Sequence, residues 1–290
     1  MHAAIRDGLL WPMGFDSWFD SLKALGLNSV EVWTGKPGLV DGAGWLGEGE
    51  QPFDLRDSAG RALLKQRFEE HGAIINAFAM ANSFGAEDFD AEVDWLIATC
   101  RAAEEMGVPA IRIDVVPHGE VSEDAVIERS AEAIRSALAA SSKVRLGMEN
   151  HGTLSNRPDF IDKLLDRVGD RRMGLTLDTG NFYWYGHPLQ TCYEIMERYA
   201  DRVCHTHVKN ISFPKELREV QREVGLKYHE YACPIYKGDI DHRRVADILK
   251  AAGYEWDFCI EDESILMQEM SDEDRKRELH ENVKHLKACV

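Results

Sequence analysis

Four short segments of the chain carry side chains that could act together on one small molecule. The stretch "RLGMENHG", residues 145–152, places Glu149, Asn150 and His151 directly behind a short apolar run. Three later segments repeat the arrangement: "GLTLDTGN" brings Asp178, "VCHTHVKN" brings His205 and His207, and "DFCIEDE" brings Glu261. Gathered at one point, three carboxylates cannot stand unpaired, because like charges at close range push pKa values up or demand a cation. A divalent metal resolves that conflict. Three oxygen donors with one imidazole suit Mn²⁺ or Mg²⁺ best, with Co²⁺ or Zn²⁺ acceptable. His205 shares a strand face with His207, since residues i and i+2 point the same way. His207, nearer the end of its strand, is the expected ligand, and His205 an expected supporting or layer residue. Singly, each residue has a plainer reading: a solvated Glu, an Asp in a turn, a satisfied core His. Their recurrence at one structural level is what argues for a site.

The elements that would position them alternate in kind. Apolar runs rich in branched residues begin near residues 3, 28, 73, 110, 144, 173, 203 and 256, and segments of helical period lie between them. That alternation predicts a parallel sheet with crossover helices. Expected helices include 15–26, with Phe15, Trp18, Phe19, Leu22 and Leu25 as its stripe, and 158–168, opened by Pro158 and stopped by Gly169. Two more are 241–252, capped by Asp241, and a last one from Ser271 nearly to Val290. Eight such pairs in 290 residues match a closed (β/α)8 TIM barrel, an α/β fold of typically about 250 residues. A doubly wound sheet is the runner-up, without a Gly-x-Gly-x-x-Gly turn to support it. No linker divides the chain, so one domain over 1–290 is expected. On that barrel Glu149, Asp178, His207 and Glu261 end four consecutive strands. Neighbouring strands lie about 4.8 Å apart, so the four side chains can converge.

Composition narrows the partners. A formal charge of −17 would repel a phosphate backbone, which excludes nucleic acid as the expected partner. The six cysteines are scattered without a Cys-x-x-Cys pair, which reads as buried reduced thiols. No apolar run approaches the roughly 20 residues of a membrane span, and no basic-then-apolar leader opens the chain. A soluble cytoplasmic protein acting on a small molecule, with no membrane partner and with room for a homo-oligomer, is the expectation. Two connections are long for a barrel: 34–56, Gly-rich with an aromatic interior, and 210–238, in which "FPKELREVQREVG" could form a short extra helix. Both follow a strand, on the face where barrels build sites, and each reads as decoration or as a cover over ligand.

Taken in order, "GMENHG", "LTLDTGN", "HTHVKN", "KGDID" and "GYEWDFCIEDE" resemble the sugar isomerase and epimerase superfamily with the xylose-isomerase-like barrel, which includes ketose 3-epimerases, hydroxypyruvate isomerase, inosose dehydratase and endonuclease IV. The resemblance covers nearly the whole chain. It implies one divalent metal held by Glu149, Asp178, His207 and Glu261, with the two glutamates also moving protons on opposite faces of a bound sugar. The implied activity is isomerisation or epimerisation of a sugar, keto-sugar or cyclitol. A hydrogen beside a carbonyl is too weakly acidic for a carboxylate alone, so a nearby cation must stabilise the enediolate. Expelling a β-substituent from the same enediolate would make the protein a lyase of the inosose dehydratase or keto-glycoside type. A non-catalytic sugar-binding or partner subunit is the reading from another class. The chain departs from the ketose 3-epimerase pattern at Ser155, Asn181 and Phe213, where Glu, His and Arg are expected. These departures weigh against a free-ketose 3-epimerase of the usual type. His151, Asn181 and Lys209 are expected to contact substrate, Trp33, Trp184 and Tyr183 to wall it, and His118 to lie in a nearby loop.

Overall fold

The computed structural model describes residues 1–117 and 121–290; His118 lies outside the described residues. Eight strands form one parallel sheet: β1 His2–Arg6, β2 Ser29–Trp33, β3 Ile74–Ala79, β4 Ala110–Ile113, β5 Arg145–Glu149, β6 Met173–Asp178, β7 Val203–His207 and β8 Asp257–Ile260. β8 pairs in parallel with β1. The remaining seam, between β7 and β8, is closed by a parallel bridge from Val208 to Ile260, with Val208 N donating to Cys259 O at 2.7 Å and Glu261 N to Val208 O at 3.0 Å. The expected (β/α)8 barrel is therefore present. No described helix is long and apolar enough to cross a membrane.

Helices cover the outside: α1 Trp18–Ala24, α2 Ser58–Glu70, α3 Phe89–Met106, α4 Glu123–Ala139, α5 Pro158–Val168, α6 Leu189–Tyr199, α7 His242–Ala251 and α8 Asp272–Cys289. α5 shows how the sequence writes one. Pro158 opens it, Phe160, Ile161, Leu164, Leu165 and Val168 are buried, and Gly169 ends it at φ 71°, a left-handed conformation that glycine adopts without strain. α7 begins where Asp241 accepts from Arg243 N and Arg244 N. α1 is shorter than the predicted 15–26. Ser17 accepts from Phe19 N and caps the helix there, so Phe15 falls before its start and is 51% exposed instead of joining the stripe.

The two long connections are folded excursions. Within 34–56, Leu39–Val40 pairs antiparallel with Phe53–Asp54 around a short helix at Gly42–Leu46. Its aromatic interior belongs to the core: Trp45 is fully buried, with its ring 4.9 Å from Phe19 and 4.7 Å from Phe68. Within 210–238, Asn210–Ile211 pairs with Ala232–Cys233, and the Asn210 side chain ties the hairpin to Ile235 and Ile240. The extra helix expected over "FPKELREVQREVG" is only a 3₁₀ turn at Lys215–Leu217, and a helical turn comes later, at Tyr228–Tyr231. Arg222 takes the place of helical hydrogen bonds there, donating to the carbonyls of Leu217, Val220, Tyr183 and His187.

Because Trp45 fills a space between three aromatic rings, Trp45→Ala is expected to destabilise the fold by about 3–5 kcal/mol, read as a lower denaturation midpoint with an unchanged slope.

Candidate metal centre

Glu149, Asp178, His207 and Glu261 meet at the C-terminal rim of the barrel. One ligand atom from each lies within 4.8 Å of the others, and all four residues are buried. Strand register explains the meeting: Asp178 of β6 pairs with His207 of β7, and Glu149 ends β5 opposite Thr176.

Each donor is aimed by a neighbour. Asp178 Oδ1 accepts from Gly180 N and Asn181 N, both at 2.8 Å, which leaves Oδ2 to face the centre. Asn150 fixes the same stretch, accepting from Asp178 N at 2.7 Å and donating to Asp178 O at 3.0 Å, so the amide of "ENH" straps β5 to β6. Gly180 has no side chain because a Cβ there would lie 2.7 Å from Lys209 Cγ. His207 Nε2 bonds Glu31 Oε2, which turns Nδ1 toward Glu261 Oε2 at 3.1 Å and Glu149 Oε1 at 3.4 Å. Among the described residues, Asp178 Oδ2, His207 Nδ1 and Glu261 Oε2 all lack a hydrogen-bond partner although buried. Lys209 Nζ is 3.1 Å from Asp178 Oδ2, a Coulombic contact without hydrogen-bond geometry. Three uncommitted buried donor atoms, beside a fourth carboxylate, fit a hard divalent cation.

Electrostatics divide the acids. Burial raises the Glu149 carboxyl, but the Arg112 guanidinium, with Nε 2.6 Å from Oε2, and His207 outweigh it and hold Glu149 well below the carboxylate range. Glu261 is likewise held low, against burial, by His207, Lys209 and Arg6. Asp178 goes the other way: burial and the two glutamates outweigh Lys209 and push it well up. His207 is pushed well above the imidazole range because Glu261, Glu31 and Glu149 outweigh its burial. Of the four, Asp178 and His207 are therefore the groups whose protonated forms the surroundings favour.

The structure brings two of the expected substrate contacts to the acids. Asn181 Nδ2 donates to Glu149 Oε1 at 3.2 Å, and Lys209 Nζ is also 3.6 Å from Glu261 Oε2 and 3.4 Å from Glu263 Oε1. His151 is linked through Asp114, at 3.1 Å, to Arg112 and hence to Glu149. Trp33 is 38% exposed at the end of β2, and Trp184 is half-buried against Gly225. Tyr183 does not wall a ligand. Fully buried, it donates to Asp239 Oδ2 and packs between Phe213 and the Arg222 guanidinium.

Sequence reasoning placed Lys209 at the site and His205 in support of it, and missed Arg6, Glu31, Arg112 and Tyr228. Arg6 bonds Glu261 and lies near Glu31, Arg112 bonds Glu149 and Asp114, and Tyr228 donates to Glu263. Below His207, Glu31 also contacts His205 Nε2 at 2.6 Å, and His205 Nδ1 lies 2.8 Å from Asp257 Oδ2. The signal was present: Arg6, Glu31 and Arg112 each interrupt an otherwise apolar strand at an inward position.

Comparison with known proteins agrees with this architecture. Inosose dehydratase of Clostridium perfringens (strain 13 / Type A) is 29% identical over 133 residues, 44% of this chain and 43% of that protein, so the match spans less than half of the relative's length. The IOLI protein, solved with a zinc atom bound, superposes with a TM-score of 0.72 at 13% identity, over 100% of this chain and 99% of its own. A xylose isomerase-like TIM barrel protein from Mycobacterium smegmatis, solved in complex with magnesium, gives a TM-score of 0.64 at 16% identity, over 99% of this chain and 97% of its own. At such identities these two likenesses bear on the fold alone. The family model described as xylose isomerase-like TIM barrel matches residues 19–289, nearly all of the eight-stranded frame, and the chain belongs to that family.

Proposed function

We propose that this protein is a divalent-metal-dependent isomerase or epimerase of a sugar, keto-sugar or cyclitol, with Glu149, Asp178, His207 and Glu261 as the metal ligands and Mn²⁺ as the first choice of ion. The observation that carries the reading is the convergence of buried, unpartnered donor atoms on those residues. A bound ion supplies the positive charge that stabilises an enediolate beside a carbonyl. Glu149 and Glu261 end β5 and β8, strands separated by two others, so their carboxylates approach a substrate from different sides of the rim. Both are ionised at neutral pH, and either can take the hydrogen from carbon. Lys209 stays an ammonium, since Asp178 and Glu261 outweigh its burial, and it is placed to hold a substrate oxygen. Cytoplasmic residence belongs to the same proposal, supported by six free cysteines.

A second reading, elimination of water or another β-substituent, is favoured by the inosose dehydratase match and by the group Lys209–Glu263–Tyr228, which could protonate a leaving hydroxyl.

Glu149→Gln and Asp178→Asn should each weaken Mn²⁺ binding by more than about 100-fold while leaving the circular dichroism spectrum unchanged; stoichiometric Mn²⁺ in either purified variant would refute the ligand assignment. Metal entry must also expel the protons held by His207 and Asp178. Mn²⁺ affinity should therefore fall from about pH 8 to about pH 6, and titration heats in buffers of different ionisation enthalpy should reveal proton release on binding. Incubation of the Mn²⁺ enzyme with keto-sugars and keto-cyclitols in D₂O separates the reactions. Solvent deuterium in recovered substrate or its isomer supports isomerisation, loss of water or an aglycone supports the lyase, and absence of exchange across the panel counts against both.

A further inference from the structure

At the opposite end of the barrel from the four acids, the N-terminal ends of the strands surround a cavity of about 480 Å³. Its walls include Ile74, Ile75, Val108, Val144 and Trp256, of which Ile74 and Trp256 are 51% and 43% exposed. Asn76 is the exception among these apolar groups. It is 6% exposed, and among the described residues neither Oδ1 nor Nδ2 has a hydrogen-bond partner.

The register of β2 with β3 explains why this amide is there. Val30 pairs with Ile75 and Glu31 with Ala77, so Asn76 is the extra residue of a β-bulge, a device that re-aims a side chain. A buried carboxamide with neither group paired is unfavourable, which makes it an anchor waiting for a partner. Three of the other polar side chains of the cavity, His2, Ser29 and Asp257, are committed within the protein. His2 Nε2 and Ser29 Oγ bond each other at 2.9 Å. Asp257 is held by Thr206, Tyr254 and His205. Glu104 and Lys143 carry opposite charges, and Glu104 is taken up by Ser142 and by the Lys143 backbone.

We propose that this cavity is a second ligand site, for a small neutral heterocycle that presents a lactam edge. The ring N–H donates to Asn76 Oδ1, the adjacent ring carbonyl accepts from Asn76 Nδ2, and the ring face lies against Trp256 and the aliphatic walls. A carboxamide offers one acceptor and one donor side by side, and the lactam edge is their complement. Aliphatic walls with an aromatic flank favour a planar ring over a polyol. Glu104 and Lys143 oppose one another and Asp257 faces His205, so no lining charge is left over to draw in an ionic ligand.

Uracil is the probe, and 1,3-dimethyluracil, with both ring N–H groups blocked, is its control. Saturation-transfer NMR and calorimetry on the wild-type protein should show saturable uracil binding. The dimethyl compound, and uracil with the Asn76→Leu protein, should bind at least about tenfold more weakly, as for a lost bidentate pair. Glu149→Gln should leave uracil binding unchanged, which separates this site from the acidic centre whatever reaction that centre performs. Failure of uracil to saturate at millimolar concentration, equal binding of the dimethyl compound, or loss of binding in Glu149→Gln would each overturn the proposal. Should Asn76→Leu not fold, the comparison of the two pyrimidines on wild-type protein decides alone.

Discussion

Burying several carboxylates together inside a protein is the constraint on which this structure turns. Charged oxygens removed from water are unfavourable unless cations meet them at close range. At the rim of this barrel Glu31, Glu149, Asp178 and Glu261 are all buried. Arg6, Arg112, His207 and Lys209 are drawn in against them, and each contacts at least one. Those pairs leave donor atoms on Asp178, His207 and Glu261 unused. The protein cations thus make the acids tolerable in the fold without closing the centre.

The same constraint shapes the barrel interior below the rim. Glu31 receives both His205 and His207 on one oxygen, and Asp257 holds the far nitrogen of His205. Burial alone would lower the His205 imidazole, but Asp257 and Glu31 outweigh it and raise it to about 9. The His205 ring is thus held, in favour of its charged form, between two buried carboxylates. Its effect on function is orientation, because Glu31, fixed from below by His205, can present its oxygen to His207 Nε2 in one direction only.

How much of this could be read beforehand differs by kind of residue. Strand starts and the four acid-centre residues were legible because each carries a local mark: a branched apolar run, then a polar residue at its end. Asp241 was legible as a helix cap by its residue type, and the start of the last helix just after Ser271 was legible too. Ser17 was not, since the stripe seemed to extend back to Phe15 and periodicity says nothing about where a cap interrupts it. Which acid each counter-charge meets was illegible for a different reason. Arg6 and Glu261 lie at opposite ends of the chain, and Arg112 and Glu149 are 37 positions apart. Only the pairing of β1 with β8 and of β4 with β5 brings them together. Trp45 likewise sat in a stretch that composition marked as loop, and its burial depends on Phe19 and Phe68 from two separate helices.

The three positions where the chain departs from the ketose 3-epimerase pattern are each turned to another use. Asn181 donates its amide to Glu149, keeping one carboxylate oxygen engaged beside the Arg112 pair. Phe213 packs against Tyr183, Tyr231 and the Arg222 guanidinium, an apolar role an arginine could not fill. Ser155 donates to Val115 O, a short tether where a glutamate would not fit without losing that bond. Lys209, Glu263 and the half-exposed His151 ring differ from these three in pairing with other charged groups around the acid centre. A barrel can keep its acid centre constant and change its chemistry in this way, by altering which neighbours of the ligands remain uncommitted.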